Sequence, residues 1–274
     1  MQTTKHYKTA LSIAGFDGSG GAGIQADLKT FSALGCYGMT VLTALPVQNT
    51  QGVRSIHGLP LKAIEEQLEA IFEDITVDVI KIGMLFTEEI IQCVAAFIKR
   101  SRYKHIPCVL DPVMVAKSGD PLLKPEAVSA LKKTLLPRAS VLTPNIPEAE
   151  VLFGKKIPTD TTRLEAAKAL AQLGPTTVVI KGGHTQDAHC RDLVYARETS
   201  EHMWLDNPRI NTHNTHGTGC TFSAAIAAHL AHQKSTEKAI LLAKTYISQA
   251  LEAGAAYSMG HGHGPVHHFH AFWS

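Results

Sequence analysis

The stretch "TALSIAGFDGSGGAGIQADLKTFSALG" (residues 9–35) joins a short apolar run to an amphipathic helix through a glycine-rich turn. The apolar run ends at Gly15, as a buried strand does, and Gly35 stops the helix. Apolar side chains recur at helical spacing along one face, at Ile24, Leu28, Phe31 and Leu34. The stretch therefore predicts a strand, a tight turn and a helix in immediate succession.

The same alternation continues along the chain. Strand-like runs occupy residues 37–45, 77–85, 106–114, 140–145 and 176–184. Helical patterns occupy residues 60–75, 87–102, 124–139, 163–174, 219–233 and 235–254. Residues 192–198 and 201–206 are typical of a short antiparallel pair. Strands alternating with helices of this length predict an α/β sandwich of three layers, with a mostly parallel central sheet covered by helices on both faces.

Composition limits the class of protein. The chain has 274 residues, of which 45% are hydrophobic and 18% charged, and no linker or repeat interrupts it. We therefore expect a single domain over residues 1–274. The net charge is +2 and no basic block occurs, so neither nucleic acid nor a membrane surface is expected as a partner. No apolar run is long enough to span a membrane.

The five cysteines do not form a recognisable framework. Their number is odd and no CxxC pair occurs, which indicates neither disulfides nor a zinc site. We expect a reducing, cytoplasmic location.

Polar residues follow the predicted strands at the places where ligands bind in parallel sheets. In such sheets, ligands occupy the crevice at the carboxyl ends of the strands. Candidate site residues by this rule are Asp17, Gln48, Met84, Asp111, Asn145 and Lys181.

The first glycine turn matches a dinucleotide-binding pattern. Gly18, Gly20 and Gly23 fit G-x-G-x-x-G between a strand and a helix, which makes a nicotinamide-dependent dehydrogenase an alternative. That fingerprint also needs an acidic residue at the end of the second strand, and residues 37–53 contain no Asp or Glu. The glycines can equally serve only to form a tight strand-to-helix turn. They can also let a ligand approach a backbone that carries no side chains.

The second glycine turn is "NTHGTGCTFSAAIAA" (residues 214–228), which runs into an alanine-rich helix. Gly217 and Gly219 expose backbone N–H groups where the helix begins, which is a favourable position for an anion. Cys220 lies in the first turn of that helix, where a thiol tends towards a lowered pKa. Cys220 can also be a small buried hydrophobic residue. A cysteine hydrolase is a further alternative, with His216 or His213 as the orienting base.

Two further groups have both a chemical and a structural interpretation. Asn145 and Glu148 lie three residues apart and could hold hydrated magnesium near phosphates, or simply form a capping box. Lys181 could pair with a phosphate, or be a solvated loop lysine. Asp111 ends its predicted strand before a proline.

Taken together, the motifs carry a family resemblance. The motifs are residues 10–53, "KIGML" (81–85), "LDPVMVAKSGD" (110–120), "TPNIPEAE" (143–150), "VIKGGH" (179–184) and "NTHGTGCTFSAAIAA" (214–228). In this order they resemble the hydroxymethylpyrimidine/phosphomethylpyrimidine kinases of thiamine biosynthesis, in the ribokinase-like superfamily. The resemblance implies a ribokinase-like fold, a homodimer, the use of ATP and Mg²⁺, and two successive phosphorylations of 4-amino-5-hydroxymethyl-2-methylpyrimidine.

The resemblance also implies a role for each site residue. Cys220 takes the place of the base that deprotonates the substrate hydroxyl, and Gly217, Thr218 and Gly219 form the anion hole. The pyrimidine pocket consists of Gln48, Asp27, Gly15, Ala22, Met84 and Val113. Asn145 and Glu148 match the superfamily's N-x-x-E pattern for metal and phosphates, Asp111 supports the metal, and Lys181 contacts the ATP phosphates.

Two positions depart from the family pattern. Phe16 stands where a serine is usual, at the pocket rim, and His213 stands where a lysine is common, which weakens any fixed cationic phosphate clamp there. A pyridoxal kinase is the nearest alternative, because some cysteine-type members of the family also phosphorylate B6 vitamers. The histidine-rich tail "MGHGHGPVHHFHAFWS" (residues 259–274) could bind a metal, but we expect a terminus packed by Phe269, Phe272 and Trp273.

Overall fold

The computed structural model describes residues 5–116, 119–120, 122–124, 126–183 and 189–273. Its strands are β1 (Thr9–Ala14), β2 (Tyr37–Leu42), β3 (Ala44–Asn49), β4 (Gly52–Gly58), β5 (Val79–Ile82), β6 (Cys108–Leu110), β7 (Val141–Leu142), β8 (Thr177–Ile180), β9 (His189–Ala196) and β10 (Glu201–Pro208). Its α-helices are α1 (Gly23–Ala33), α2 (Leu61–Asp74), α3 (Glu88–Ile98), α4 (Ala127–Ala130), α5 (Ile146–Phe153), α6 (Asp160–Gln172), α7 (Thr218–Ala231) and α8 (Thr236–Gly254).

Eight strands form one central sheet in the order β10-β9-β8-β7-β6-β5-β1-β2. The six strands from β8 to β2 run parallel, while β9 is antiparallel to both β8 and β10. The remaining strands, β3 and β4, form a separate antiparallel hairpin. The parallel strands place their carboxyl ends along one edge, which is where the site lies.

Helices cover the sheet on both faces. One core cluster joins α1, α7 and α8 to the sheet through Phe31, Phe222 and Ile240. The other core cluster joins the helices α2, α3, α4, α5 and α6 to the opposite face of the sheet, through residues such as Leu68, Ile91 and Leu152. The predicted three-layer α/β sandwich with a mostly parallel sheet is confirmed.

Several elements differ from the prediction, and helix α5 is absent from the predicted helices altogether. The run 37–45 is not one strand: it breaks at Thr43, and its second half leaves the sheet as β3 to pair with β4, which the sequence pattern missed. The predicted helix 124–139 is α-helical only at α4 and continues as a π-turn (Leu131–Leu135) and a 3₁₀ turn (Leu136–Arg138). Pro137 explains the ending, because it cannot donate to an α-helical ladder. His184, the last residue of the predicted strand 176–184, lies outside the described residues.

The histidine-rich tail packs against the helices. The Phe269 ring contacts Phe272 and Trp273 at centroid distances of 6.1 and 6.3 Å. His268 is buried, and its Nε2 lies 3.0 Å from Thr221 Oγ1 of α7. Among the described residues, His, Cys, Asp and Glu side chains nowhere gather in a group of three or more that could hold a metal ion. In that same part of the chain, no helix combines the length and apolarity needed to cross a membrane.

Candidate active site

A cavity of about 640 Å³ opens at the carboxyl edge of the sheet. Its walls come from the turns after β1, β5, β6, β7 and β8, from the β3–β4 hairpin and from the start of α7. Predicted residues that line it are Gly15, Ala22, Gln48, Met84, Val113, Asn145, Glu148, Lys181, Gly217, Thr218, Gly219 and Cys220. Chain segments that are far apart in sequence therefore meet in one crevice.

Helix α7 begins at the centre of this cavity. Its N-cap residue, Gly217, has a φ of 75°, a conformation that favours glycine. A β-carbon at this position would meet Gly21 O, so the two glycine turns touch through their backbones. No side chain caps the helix start, which makes it a favourable position for an anion, and the Thr218 N–H donates to Thr215 O at 3.3 Å.

The Cys220 thiol lies just inside that helix start and is partly buried. Burial raises its pKa to about 11, although the Lys81 charge and a hydrogen bond from the Gly23 N–H act in the opposite direction. The expectation of a lowered pKa from the helix terminus is therefore wrong for the ligand-free site, because desolvation outweighs the helix dipole.

A buried ion pair lies directly behind the glycine turn. Lys181 Nζ is 2.9 Å from Asp111 Oδ1, and Thr143 Oγ1 and Ser223 Oγ donate to the same carboxylate. A β-carbon at Gly219 would lie 3.2 Å from Lys181 Nζ and 3.5 Å from Asp111 Oδ2. Lys181 is thus not a solvated loop lysine. It reaches the cavity wall, whereas Asp111 is engaged behind it.

Asn145 and Glu148 form a complete capping box at the start of α5. Asn145 Oδ1 accepts from the Glu148 N–H, and Glu148 Oε2 accepts from the Asn145 N–H, both at 2.8 Å. Both side chains also line the cavity. Burial raises the pKa of Glu148 to about 7, against the opposing charge of Lys181. The capping role is therefore present, and Glu148 lines the same cavity as Lys181.

The other end of the cavity is apolar with one amide. Gly15, Ala22, Met84 and Val113 line this part, and Gln48 reaches it from the hairpin strand β3. The sequence rule expected Gln48 to follow a strand of the central sheet. Gln48 instead lies within the hairpin strand β3. Its Nε2 lies 3.4 Å from Phe16 O, a long contact that leaves the amide available to a ligand. Phe16 lines the same part, at the rim.

Asp27 does not lie on the cavity wall. It is completely buried on α1, and its carboxylate pairs with Lys81 Nζ at 2.9 and 2.8 Å. The expected direct contact between Asp27 and a substrate is therefore wrong in this arrangement, because Lys81 stands between the carboxylate and the cavity. Sequence reasoning missed Lys81, although a lysine inside the apolar run "VDVIKIGML" needs a partner when that strand is buried.

The first glycine turn folds around its own carboxylate. The N–H groups of Ser19, Gly21 and Ala22 donate to Asp17, at 3.0, 3.1 and 2.7 Å. Donors that a dinucleotide pyrophosphate would need are thus already used, which argues against the dehydrogenase. His216 is bound to Asp17 and not to the thiol, and His213 lies outside this cavity, so the hydrolase arrangement is absent from the described residues.

A second apolar region extends beyond the anion site, between α7 and α8. Phe222, Ile247 and Leu251 line it, and the buried Lys244–Asp192 pair, 2.7 Å apart, closes its far side. The sequence patterns singled out none of these residues, because ordinary apolar side chains that line a pocket carry no motif.

The fold and the site together define a class. A mostly parallel eight-stranded sheet carries, at the carboxyl edge of its strands, a cavity lined by an uncapped helix start, a lysine and apolar side chains. These features are those of a ribokinase-like small-molecule kinase.

Comparison with known proteins gives the family. The family model described as phosphomethylpyrimidine kinase matches residues 17–267. The chain is 47% identical over 265 residues to the hydroxymethylpyrimidine/phosphomethylpyrimidine kinase of Salmonella typhimurium, which covers 96% of this chain and 98% of that one. The chain belongs to the phosphomethylpyrimidine kinase family, and the resemblance seen in its motifs is confirmed.

Two solved structures are similar over nearly the whole chain. A Bacillus subtilis pyridoxal kinase in an ADP complex has a TM-score of 0.88 at 39% identity, covering 97% of this chain and 99% of that one. A phosphomethylpyrimidine kinase from Clostridium difficile has a TM-score of 0.77 at 43% identity, covering 89% and 99%. Both substrate alternatives are thus represented among the relatives.

Proposed function

We propose that this protein is an ATP-dependent kinase that phosphorylates 4-amino-5-hydroxymethyl-2-methylpyrimidine, and then its monophosphate, in thiamine biosynthesis. One observation carries the proposal: Cys220, in the first turn of the uncapped helix α7, lines the same cavity as Gln48 and Lys181. A substrate hydroxyl at the thiol therefore faces a phosphate held at the helix start.

In this proposal each residue at the junction has one task. Cys220 accepts the proton of the substrate hydroxyl, and the backbone N–H groups of Gly217, Thr218 and Gly219 stabilise the charge on the transferred phosphoryl group. Lys181 adds a positive charge, which Asp111 holds in place at 2.9 Å. Only the thiolate form of Cys220 can accept that proton, and phosphoryl transfer depends mostly on positioning and charge stabilisation, to which the base adds.

ATP and Mg²⁺ are the cofactors we propose. Mg²⁺ is commonly bound through one or two carboxylates together with substrate phosphates and water. Glu148 lines the cavity near Lys181, which suits such a site, while Asp111 supports it from behind. Bound Mg²⁺ would neutralise phosphate charge. Asn145 holds the Glu148 backbone at the helix start.

The ring compartment suits a flat aminopyrimidine. An amide offers both a donor and an acceptor, and the aminopyrimidine edge presents the matching pair to Gln48. Met84 and Val113 then provide apolar contact to the ring. The Asp27 carboxylate does not contribute a direct contact, since it is paired with Lys81.

Pyridoxal kinase activity is the second candidate, supported by the pyridoxal kinase of TM-score 0.88. Pyridoxal is also a flat ring with a primary alcohol, and it would occupy the same compartment. Its phenolic oxygen and aldehyde do not match the Gln48 amide as an aminopyrimidine edge does. We therefore propose the pyrimidine alcohol as the enzyme's preferred substrate.

Steady-state kinetics under one set of ATP and Mg²⁺ concentrations test the proposal. We expect the highest kcat/KM with the pyrimidine alcohol, measurable turnover with its monophosphate, and a lower value with pyridoxal. A preference for pyridoxal would overturn the substrate assignment and leave the kinase assignment intact. Lack of turnover with all three would overturn both.

Three further expectations concern the number of domains, the oligomeric state and the cellular location of the protein. A single domain over residues 1–274, a homodimer and a cytoplasmic location remain predictions. Sedimentation equilibrium of the purified chain tests the dimer, and a monomer at micromolar concentration would contradict it.

A further inference from the structure

The C-terminal segment that follows α8, residues 255–265, contacts two separate parts of the candidate active site. It passes the tip of the β3–β4 hairpin, where the His263 N–H donates to Thr50 O at 2.9 Å. The backbone oxygen of the next residue, Gly264, accepts from the His216 N–H, also at 2.9 Å. Adjacent residues of one segment therefore hold the hairpin tip and the turn that leads into α7.

The contact between the segment and the hairpin tip is close. The Gly262 N–H donates to Thr50 Oγ1 at 3.2 Å. A β-carbon at Gly260 or at Gly262 would collide with Thr50, so both positions leave room for the hairpin tip. Gln48, whose amide lines the active-site cavity, lies only two residues before Thr50. The segment thus fixes the end of the hairpin that carries Gln48.

The same segment is also bound to the turn before α7. Asn214 Nδ2 donates to Gly254 O at 2.7 Å and to Tyr257 O at 2.6 Å, at the point where the segment leaves α8. Further along the segment, Pro265 forms an isolated parallel bridge with His216. The turn is therefore held at Asn214 and again at His216, directly before the start of α7.

Apolar packing does not account for the path of this segment. Residues 255–262 are exposed, and Tyr257 and Met259 leave 44% and 52% of their surface in solvent. Apolar burial resumes only at Val266, after the contacts with the hairpin and the turn. The course of the segment therefore follows its backbone hydrogen bonds to the active-site elements.

The hairpin needs such support from outside. It is a two-stranded sheet separate from the central sheet, and a hairpin of two strands is only marginally stable by itself. Near its base, the Phe16 N–H donates to Ala44 O at 2.9 Å, and on β4 the Val53 N–H donates to Asp120 Oδ2 at 3.0 Å. The contacts at Thr50 add a further point of attachment, at the tip.

We propose that residues 255–265 are a positioning element of the active site, which holds the Gln48 hairpin in a fixed place relative to the start of α7. This inference rests on the proposed function, in which the substrate ring lies at Gln48 and the transferred phosphoryl group at the helix start. A displacement of about 1 Å between reacting groups can lower a rate roughly 100-fold. The segment is not proposed to contact the reacting atoms.

Gly262→Ala tests the link, because the added β-carbon would collide with Thr50 O while position 262 itself is exposed. Hydrogen–deuterium exchange of the substrate-free full chain, followed by mass spectrometry, reports local opening. We expect exchange to accelerate by roughly threefold or more in the peptides covering residues 44–58 and 211–219, and to stay unchanged in α3. Gly58→Ala is the matched control, since a β-carbon there would have only ordinary contacts. Acceleration in the hairpin alone, or in neither peptide, would overturn the inference.

Kinetics separate positioning from general support of the fold. We expect Gly262→Ala to lower kcat/KM for the pyrimidine alcohol roughly tenfold, with the KM for ATP nearly unchanged. In a Gln48→Leu background the same change should cost less than about threefold, because the segment then has no amide to position. Equal losses in the two backgrounds, or a parent-like value in Gly262→Ala, would overturn the inference.

Thr50→Val is the second variant, which decides the question if Gly262→Ala fails to fold. It removes the acceptor for the Gly262 N–H and keeps the Thr50 backbone oxygen, so both effects should recur at a smaller size. Parent-like exchange and kinetics in Thr50→Val would then overturn the inference. If exchange responds as expected while the parent does not turn over the pyrimidine alcohol, the link stands and the proposed substrate fails.

Discussion

His216 Nε2 lies 2.8 Å from Asp17 Oδ2 and so joins the two glycine turns across 199 residues of sequence. Asp17 is completely buried and also accepts from Ser19, Gly21 and Ala22. Burial alone would raise the pKa of Asp17, but the hydrogen bonds from His216 and Ser19 outweigh it and hold that pKa well below its usual range. The carboxylate is thus a charged centre that organises both turns.

Loss of this link should disturb the anion hole, because His216 directly precedes Gly217. We expect His216→Ala to lower kcat roughly 10–100-fold, since small displacements of a positioned group have effects of this size, with a smaller change in KM for ATP. Steady-state kinetics measure both values. His213→Ala is the matched control and should behave like the parent. A parent-like kcat in His216→Ala would show that the turn keeps its shape without the link.

Gln48 should discriminate between the two candidate substrates. Gln48→Leu leaves the polar edge of the pyrimidine unpaired, at a cost of about 1–3 kcal/mol. We expect kcat/KM for the pyrimidine alcohol to fall roughly 10–100-fold, with a smaller loss for pyridoxal. The surface change Gln92→Leu serves as the control. Equal losses on both substrates would mean that Gln48 is structural, through its contact with Phe16 O.

Glu148 should affect the metal requirement. Glu148→Gln keeps an acceptor for the Asn145 N–H, so α5 remains capped. The loss of charge should raise the Mg²⁺ concentration needed for half-maximal rate and lower kcat, while binding of the pyrimidine stays nearly unchanged. A Mg²⁺ titration compares the variant with the parent and with the exposed control Glu165→Gln. Identical titrations would reduce Glu148 to its capping role.

The buried tail histidine should make the fold sensitive to acid. Burial lowers the pKa of His268 to about 3, so the unfolded chain binds its proton more readily than the folded one. Stability from this group is complete above pH 6.5 and is lost as the pH falls towards 3. At pH 5 the loss is on the order of 2 kcal/mol.

Denaturant unfolding at pH 7 and pH 5 measures this loss. In His268→Gln, which can still bond Thr221 Oγ1, the free energy of unfolding should fall less between the two pH values than in the parent. The exposed His261→Gln variant should follow the parent. If His268→Gln loses as much stability as the parent, His268 does not control the acid response.

Much of the fold was predictable because hydrophobic periodicity is a local property. The β1–α1 and α7 units follow from apolar spacing and glycine turns alone. The hairpin was not predictable in this way: β2 and β3 form one continuous apolar run, and only tertiary pairing with β4 separates them at Thr43. The π-turn after α4 has no local sequence signal either.

The candidate site was likewise predictable only where its residues belong to a local sequence pattern. Glycine turns and strand-end polar residues located Cys220, Lys181 and Glu148, since these positions carry chemistry with a recognisable spacing. Asp27 was misplaced because a sequence does not show which way a buried helix turns its carboxylate. Finding its partner required the register of β5 with β1, a long-range property.

Turnover of Cys220→Ala tests the central claim most directly, namely that the thiol at the start of α7 serves as the base for phosphoryl transfer to the pyrimidine hydroxyl. The account predicts a kcat lower by about 10²–10⁴-fold with ATP binding retained by calorimetry, and partial activity in Cys220→Asp because a carboxylate can accept the same proton. A Cys220→Ala enzyme that turns over the pyrimidine alcohol at the parent's rate would contradict it.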